Sequence, residues 1–251
     1  MPGMKRSPKK SAGSAVTAPG GYWAATRQPL YCLLLLFPLV ATYEFGTLII
    51  NPSGLSQPHL VAYGLIRGLL GWLGASGFWL PGVVLLLTLL IWHILSRDSW
   101  QIRGWVLPLM LAESVALALP LFALNQVMLT AGQTQNAGLA LQIMVALGAG
   151  VYEELVFRLY LITGLTLLLV HLLRVPKRVS LWLVIGSAAA IFALCHVQPI
   201  GAEPFAWPTF LMRLAAGVYL SLIFIARGLG VATGCHAAYN LILLAVTLPL
   251  A

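Results

Sequence analysis

Charge is what this chain has least of. Only 8% of its 251 residues are Asp, Glu, Lys or Arg, against about 25% in an ordinary soluble domain. With 60% hydrophobic residues and a mean hydropathy of +0.94, this excludes a water-soluble globular fold. Acids are scarcest: Glu44, Asp98, Glu113, Glu153, Glu154 and Glu203 are all there are, and four of them (44, 113, 153 and 154) lie in apolar stretches. Cysteine is nearly absent too. Cys32, Cys195 and Cys235 are odd in number and sit in apolar surroundings, so no disulfide framework is expected and they read as small buried hydrophobes. The net charge of +8 comes mostly from the N-terminal tail and short loops, with no basic patch rich in aromatics. It therefore reports topology and attraction to anionic lipid rather than nucleic-acid binding.

What is present is a series of long hydrophobic runs. Hydropathy places membrane spans near residues 29–50, 77–95, 105–124, 139–173, 180–197, 207–226 and 229–250. The segment 60–73, with Arg67 and several glycines, is too short to span and reads as an interfacial or re-entrant helix. The fold class is thus all-α, a polytopic bundle of about seven spans plus that helix. Arg97 and Arg103, then Arg174, Lys177 and Arg178, then Arg227 occupy alternate connections. The intervening loops 51–59, 125–138 and 198–206 carry no Lys or Arg. This alternation expects a cytoplasmic N-terminus and an outside C-terminus, and a plasma or inner membrane is the default expectation for a chain without a cleavable signal. Residues 1–28, with Lys5, Arg6, Lys9, Lys10 and Arg27 among small residues, read as a disordered cytoplasmic tail. Residues 29–138 form a first group of transmembrane helices and 139–251 a second.

Against this background, Glu153, Glu154 and Arg158 stand out as three ionisable groups within six residues of a span. Each costs about 2.5–3.5 kcal/mol to place in a bilayer, which demands pairing or a wet cavity. Glu154 and Arg158, at i and i+4, have the order and spacing of a helical ion pair, while Glu153 points about 100° away and is left for chemistry. Two later spans add polar groups at helical spacing: Phe192-Ala-Leu-Cys-His196, and His236-Ala-Ala-Tyr-Asn240. Glu153, His196, His236 and Asn240 together have the parts for hydrolysis by an activated water, with carboxylate or imidazole as base and His plus Asn for an oxyanion. Two strains remain in this scheme. A helix over 139–173 would be about 52 Å long against a core of about 30 Å, so it must tilt, project or break. The boundaries also put His196 near the outer face and His236 nearer the inner one.

The three motifs, Glu153-Glu154-x-x-x-Arg158, Phe192-x-x-x-His196 and His236-x-x-x-Asn240, resemble the signature of the CPBP intramembrane proteases, which include CAAX prenyl protease type 2 and the bacterial Abi proteins. The likeness covers residues 139–245. It implies a glutamate-type intramembrane endopeptidase in which Glu153 and His196 activate water, His236 and Asn240 form the oxyanion site, and Glu154 and Arg158 are a supporting ion pair. No cofactor is expected; the alternative is a zinc ion on Glu153, His196 and His236, since two His and one Glu are a legitimate zinc set. Substrates would be membrane-anchored or lipidated: a prenylated C-terminal tail, a bacteriocin or pheromone precursor, or the anchor of an exported protein. The rival readings are a non-catalytic immunity or scaffold protein, and a proton-coupled carrier, which would call for an internal repeat that the sequence lacks. Glu44, Glu113, Arg67 and Arg213 are expected to pair among themselves, or one, Glu113, to line the substrate path.

Overall fold

The computed structural model describes residues 21–50, 60–128 and 138–247. The described residues form nine helices: α1 (Tyr22–Ala25), α2 (Pro29–Ile50), α3 (Val61–Trp72), α4 (Leu80–Ser96), α5 (Val106–Met128), α6 (Leu139–Leu172), α7 (Lys177–Leu194), α8 (Trp207–Arg227) and α9 (Leu229–Thr247). No strand forms among the described residues, only an isolated bridge between Val197 and Glu203. Six helices, α2 and α5 to α9, are long and apolar enough to cross a membrane, and α4 is a shorter apolar helix. The chain is an all-helical integral membrane protein. Residues 1–20 of the expected tail, the loop 51–59, most of the 125–138 loop and the last residues of the seventh span lie outside the described residues. Residues 21–28, assigned to the tail from sequence, are folded onto the bundle.

The bundle is organised around α9. Its first nine residues, Leu229 to Ala237, are all buried, and it packs against α2, α5, α6 and α8. Small residues make this possible, because lipid supplies no hydrophobic force between helices and close backbone approach must hold them together. At Gly150 of α6, an added Cβ would lie 2.8 Å from Cα and N of Ala237. α6 and α9 therefore meet backbone to backbone at the level of the acidic pair.

The long α6 does not break. It runs 34 residues, about 51 Å as an α-helix, and contains two π-helical stretches, Glu154–Ile162 and Leu167–Leu172, separated by the α-helical turn Thr163–Thr166. Its second half packs against α7, forming a hairpin tipped by Arg174, Lys177 and Arg178. Because Gly150 lies beside Ala237 and Asn240 bonds Ala146, α6 and α9 are antiparallel. The hairpin extends about 20 Å past the start of α9.

That projection corrects the expected depths. His196 lies at the far end of α7 and His236 in the second turn of α9, yet α7 begins so much further out that the two residues are level. A second correction concerns the isolated charges, which do not pair among themselves. Glu113 holds Arg227 at 2.5 and 2.8 Å and accepts from Tyr22; Arg213 holds Glu203; Glu44 accepts from the Tyr152 hydroxyl. Around Glu44, the rings of Tyr43, Tyr63 and Tyr152 meet edge to face, with centroids 5.1–5.8 Å apart. His93 is buried, with the ring of Trp100 edge to face against it at 4.3 Å. The six tryptophans near span ends, Trp23, Trp72, Trp79, Trp100, Trp105 and Trp207, are exposed as an aromatic belt requires.

Candidate functional site

The acidic pair sits where α6 passes from α-helical to π-helical geometry, a local irregularity that recurs at functional sites. Glu153 and Glu154 point to different partners, as their adjacency on a helix dictates. Glu154 is fully buried, with Oε2 3.2 Å from Nε of Arg158. That contact is close enough for an ion pair but not aligned as a hydrogen bond, and both terminal guanidinium nitrogens are buried without a partner. The Phe192 ring offsets part of this, since the Arg158 Cζ lies 4.5 Å from its centroid. A buried charge of this kind is retained only with its counter-ion in place.

Glu153 is flanked by both histidines. Oε1 lies 3.5 Å from Nε2 of His196, and Oε2 lies 3.8 Å from Nε2 of His236. The ring orientations follow from the atoms behind them. Nδ1 of His196 is 2.8 Å from the Phe192 carbonyl, which can only accept, so Nδ1 carries a proton. Nδ1 of His236 is 2.8 Å from Oε1 of Glu154, so it donates as well. Each Nε2 is thereby directed at Glu153. In the neutral rings each presents a lone pair to a carboxylate oxygen, and two acceptors at 3.5 Å need a proton or a water between them.

There is room for one. A pocket of about 80 Å³ lies against Glu153, lined also by Val61, Phe157, Cys195, His196 and Glu203. This exceeds the roughly 10–15 Å³ that a single water needs. Phe157, which lines the pocket, and Phe192 meet edge to face at 5.3 Å and form an apolar wall beside the cluster.

Asn240, one turn beyond His236, donates from Nδ2 to the Ala146 carbonyl at 3.1 Å. One of its two amide protons is committed to α6, leaving the other for a ligand. Five of the six sequence-derived residues, Glu153, Glu154, Arg158, His196 and His236, thus form one contiguous cluster, with Asn240 adjoining it. Sequence reasoning missed three contributions. Phe192 is both the aromatic wall and the carbonyl that fixes His196; Glu203 and Cys195 line the pocket; and the first turn of α3 closes it. Only Phe192 carried a signal, its fixed i−4 spacing from His196.

The zinc alternative has suitable ligand chemistry. Among the described residues, however, no group of three His, Cys, Asp or Glu side chains is arranged to hold a metal ion.

In a comparison with protein families, residues 135–242 match the model described as Rce1-like, type II CAAX prenyl endopeptidase Rce1-like. That interval contains all three motifs. Comparison with curated proteins and with solved structures found no match.

Proposed function

We propose that this protein is an intramembrane endopeptidase using Glu153 and His196 to activate a water, a reading supported by the match of residues 135–242 to the Rce1-like family model of type II CAAX prenyl endopeptidases. The observation that carries this reading is the placement of both His Nε2 atoms on the two oxygens of Glu153, 3.5 and 3.8 Å away, beside the pocket. A water between Glu153 and His196 gives up its proton to that pair as its oxygen attacks the scissile carbonyl. The same pair then returns the proton to the departing amine nitrogen, so that no proton is gained or lost overall.

His236 and Asn240 serve the developing oxyanion. Glu154, behind His236, accepts its Nδ1–H and so sets the direction in which Nε2 faces the oxyanion. Asn240 contributes its remaining amide proton. Arg158, 3.2 Å away, pairs with Glu154 and holds it in place. The substrate is a lipidated or membrane-anchored polypeptide tail, since the site lies within the bundle and is reached along the bilayer. The pocket is bordered by the start of α3 and the 201–203 turn, both on the side whose loops lack Lys and Arg. With the N-terminus cytoplasmic, the substrate enters from the opposite face.

The test is proteolysis in liposomes on membrane-anchored tails encoded by the same genome, comparing wild type with Glu153→Gln. Cleavage by wild type and none by the variant is the expected result. Equal cleavage by both overturns the assignment of Glu153.

A further inference from the structure

His196 stands past the end of α7, where the helical ladder no longer fixes it. Helix α7 ends at Leu194; Cys195 N–H still reaches the Ile191 carbonyl at 2.9 Å, and beyond it only turn contacts follow, His196 N–H to the Ala193 carbonyl at 3.3 Å and Val197 N–H to Leu194 at 3.1 Å. The chain then folds back over this residue. Glu203 N–H donates to the His196 carbonyl at 3.2 Å, Gln198 N–H to the Glu203 carbonyl at 2.8 Å, and Gly201 N–H to the Val197 carbonyl at 2.8 Å. The fit is so tight that a Cβ on Gly201 would overlap the His196 carbonyl. This closed turn needs an anchor on the rest of the bundle. It has one in Arg213 of α8, whose Nε donates to Oε2 of Glu203 at 3.3 Å and whose Nη2 donates to Oε1.

We propose that the Glu203–Arg213 pair is a positioning device for His196: it ties the 197–206 turn to α8 and, through the Glu203 backbone, sets the imidazole against Glu153. The proposal rests on the reading of His196 as half of the water-activating pair. Arg213 stands outside the pocket lining, and the carboxylate of Glu203, whose residue borders the pocket, is engaged by Arg213 rather than by Glu153 or His196. The geometry is suited to the task because a two-point guanidinium–carboxylate contact fixes direction as well as distance. A displacement of about 1 Å at a general base costs on the order of 100-fold in rate, so an anchor one residue removed from the chemistry registers in turnover rather than in binding.

The experiment measures kcat and KM for one membrane-anchored tail with wild type, Glu203→Gln, Arg213→Ala, Arg213→Lys and the exchanged pair Glu203→Arg/Arg213→Glu. Expected are a kcat at least 10-fold lower in Glu203→Gln and Arg213→Ala with KM within about 2-fold, partial recovery in Arg213→Lys, and a kcat in the exchanged pair above either single variant. A readout without turnover accompanies it: the labelling rate of the Cys195 thiol, which lines the same pocket, rises several-fold in Arg213→Ala as the turn loosens. Unchanged kcat in both single variants, or a change in KM alone, overturns the proposal. So does a loss of kcat that neither Arg213→Lys nor the exchanged pair relieves. Glu153→Gln separates the two readings, because activity retained there sinks the site assignment, whereas activity lost there but intact in Arg213→Ala sinks only the positioning role.

Discussion

Glu153 and His196 face each other across 3.5 Å, carboxylate oxygen to Nε2, with the opposite ring nitrogen of His196 committed to the Phe192 carbonyl. The pair is held for proton exchange with something between its members. Replacing Glu153 by Gln keeps the volume and removes the base. A fall in kcat of about 10²–10⁴ is expected, the usual worth of a positioned acid–base group, with unchanged detergent unfolding. Steady-state cleavage alongside a thermal melt checks both halves.

Glu154 is expected to matter for folding as much as for turnover. Glu154→Gln leaves the Arg158 guanidinium buried without its counter-ion, a loss of about 3–5 kcal/mol. The double variant Glu154→Gln/Arg158→Met removes the orphaned charge and recovers most of that stability. Its cleavage stays low, because His236 has lost the carboxylate that accepts its Nδ1–H and orients its ring. Denaturant unfolding in micelles reads the first effect and single-turnover cleavage the second.

Gly150→Ala places a methyl 2.8 Å from the Ala237 backbone. Helix α9 must move, carrying His236 away from Glu153. Overpacking of this kind costs about 1–3 kcal/mol, and activity falls by more than the stability change alone predicts. A variant that cleaves at the wild-type rate would mean the α6–α9 contact does not set the site.

At the opposite end of α9, the N-terminal segment is clamped. The Arg227 guanidinium lies 3.5 Å from the Trp23 ring centroid and bonds Glu113, while Arg27 donates to the Ile225 and Ala226 carbonyls. Glu113→Gln is expected to lower stability by about 1–3 kcal/mol and to leave the choice among substrates unchanged, which a panel of tails would test. Burial, reinforced by the bond to Glu113, pushes the Tyr22 hydroxyl up to about 12. Since the folded value lies above the unfolded one, this contribution is full below pH ~10 and is lost as pH rises through about 12.

A strong chelator is expected to leave wild-type cleavage intact, and added zinc to leave Glu153→Gln inactive. Loss of wild-type cleavage on chelation, restored by zinc, would transfer Glu153, His196 and His236 to a metal-based mechanism.

The sequence by itself determined the class, the helices and the local pairings. Scarce charge and seven apolar runs admit little besides a helical membrane bundle, because backbone polar groups in lipid must be satisfied within the segment. The Glu154–Arg158 ion pair and the shared face of His236 and Asn240 were legible because four residues bring a helix back to the same side. Tertiary structure alone decided which distant groups meet: Glu113 with Arg227, Glu203 with Arg213, Glu44 with Tyr152, and His196 level with His236. Those pairings depend on how far each helix slides and tilts against its neighbours. Hydropathy is blind to that, since it locates where a segment enters the apolar layer to within a turn or two and says nothing of register. The register here is set by backbone contacts at glycines such as Gly150, whose consequence appears only when the facing helix is in place.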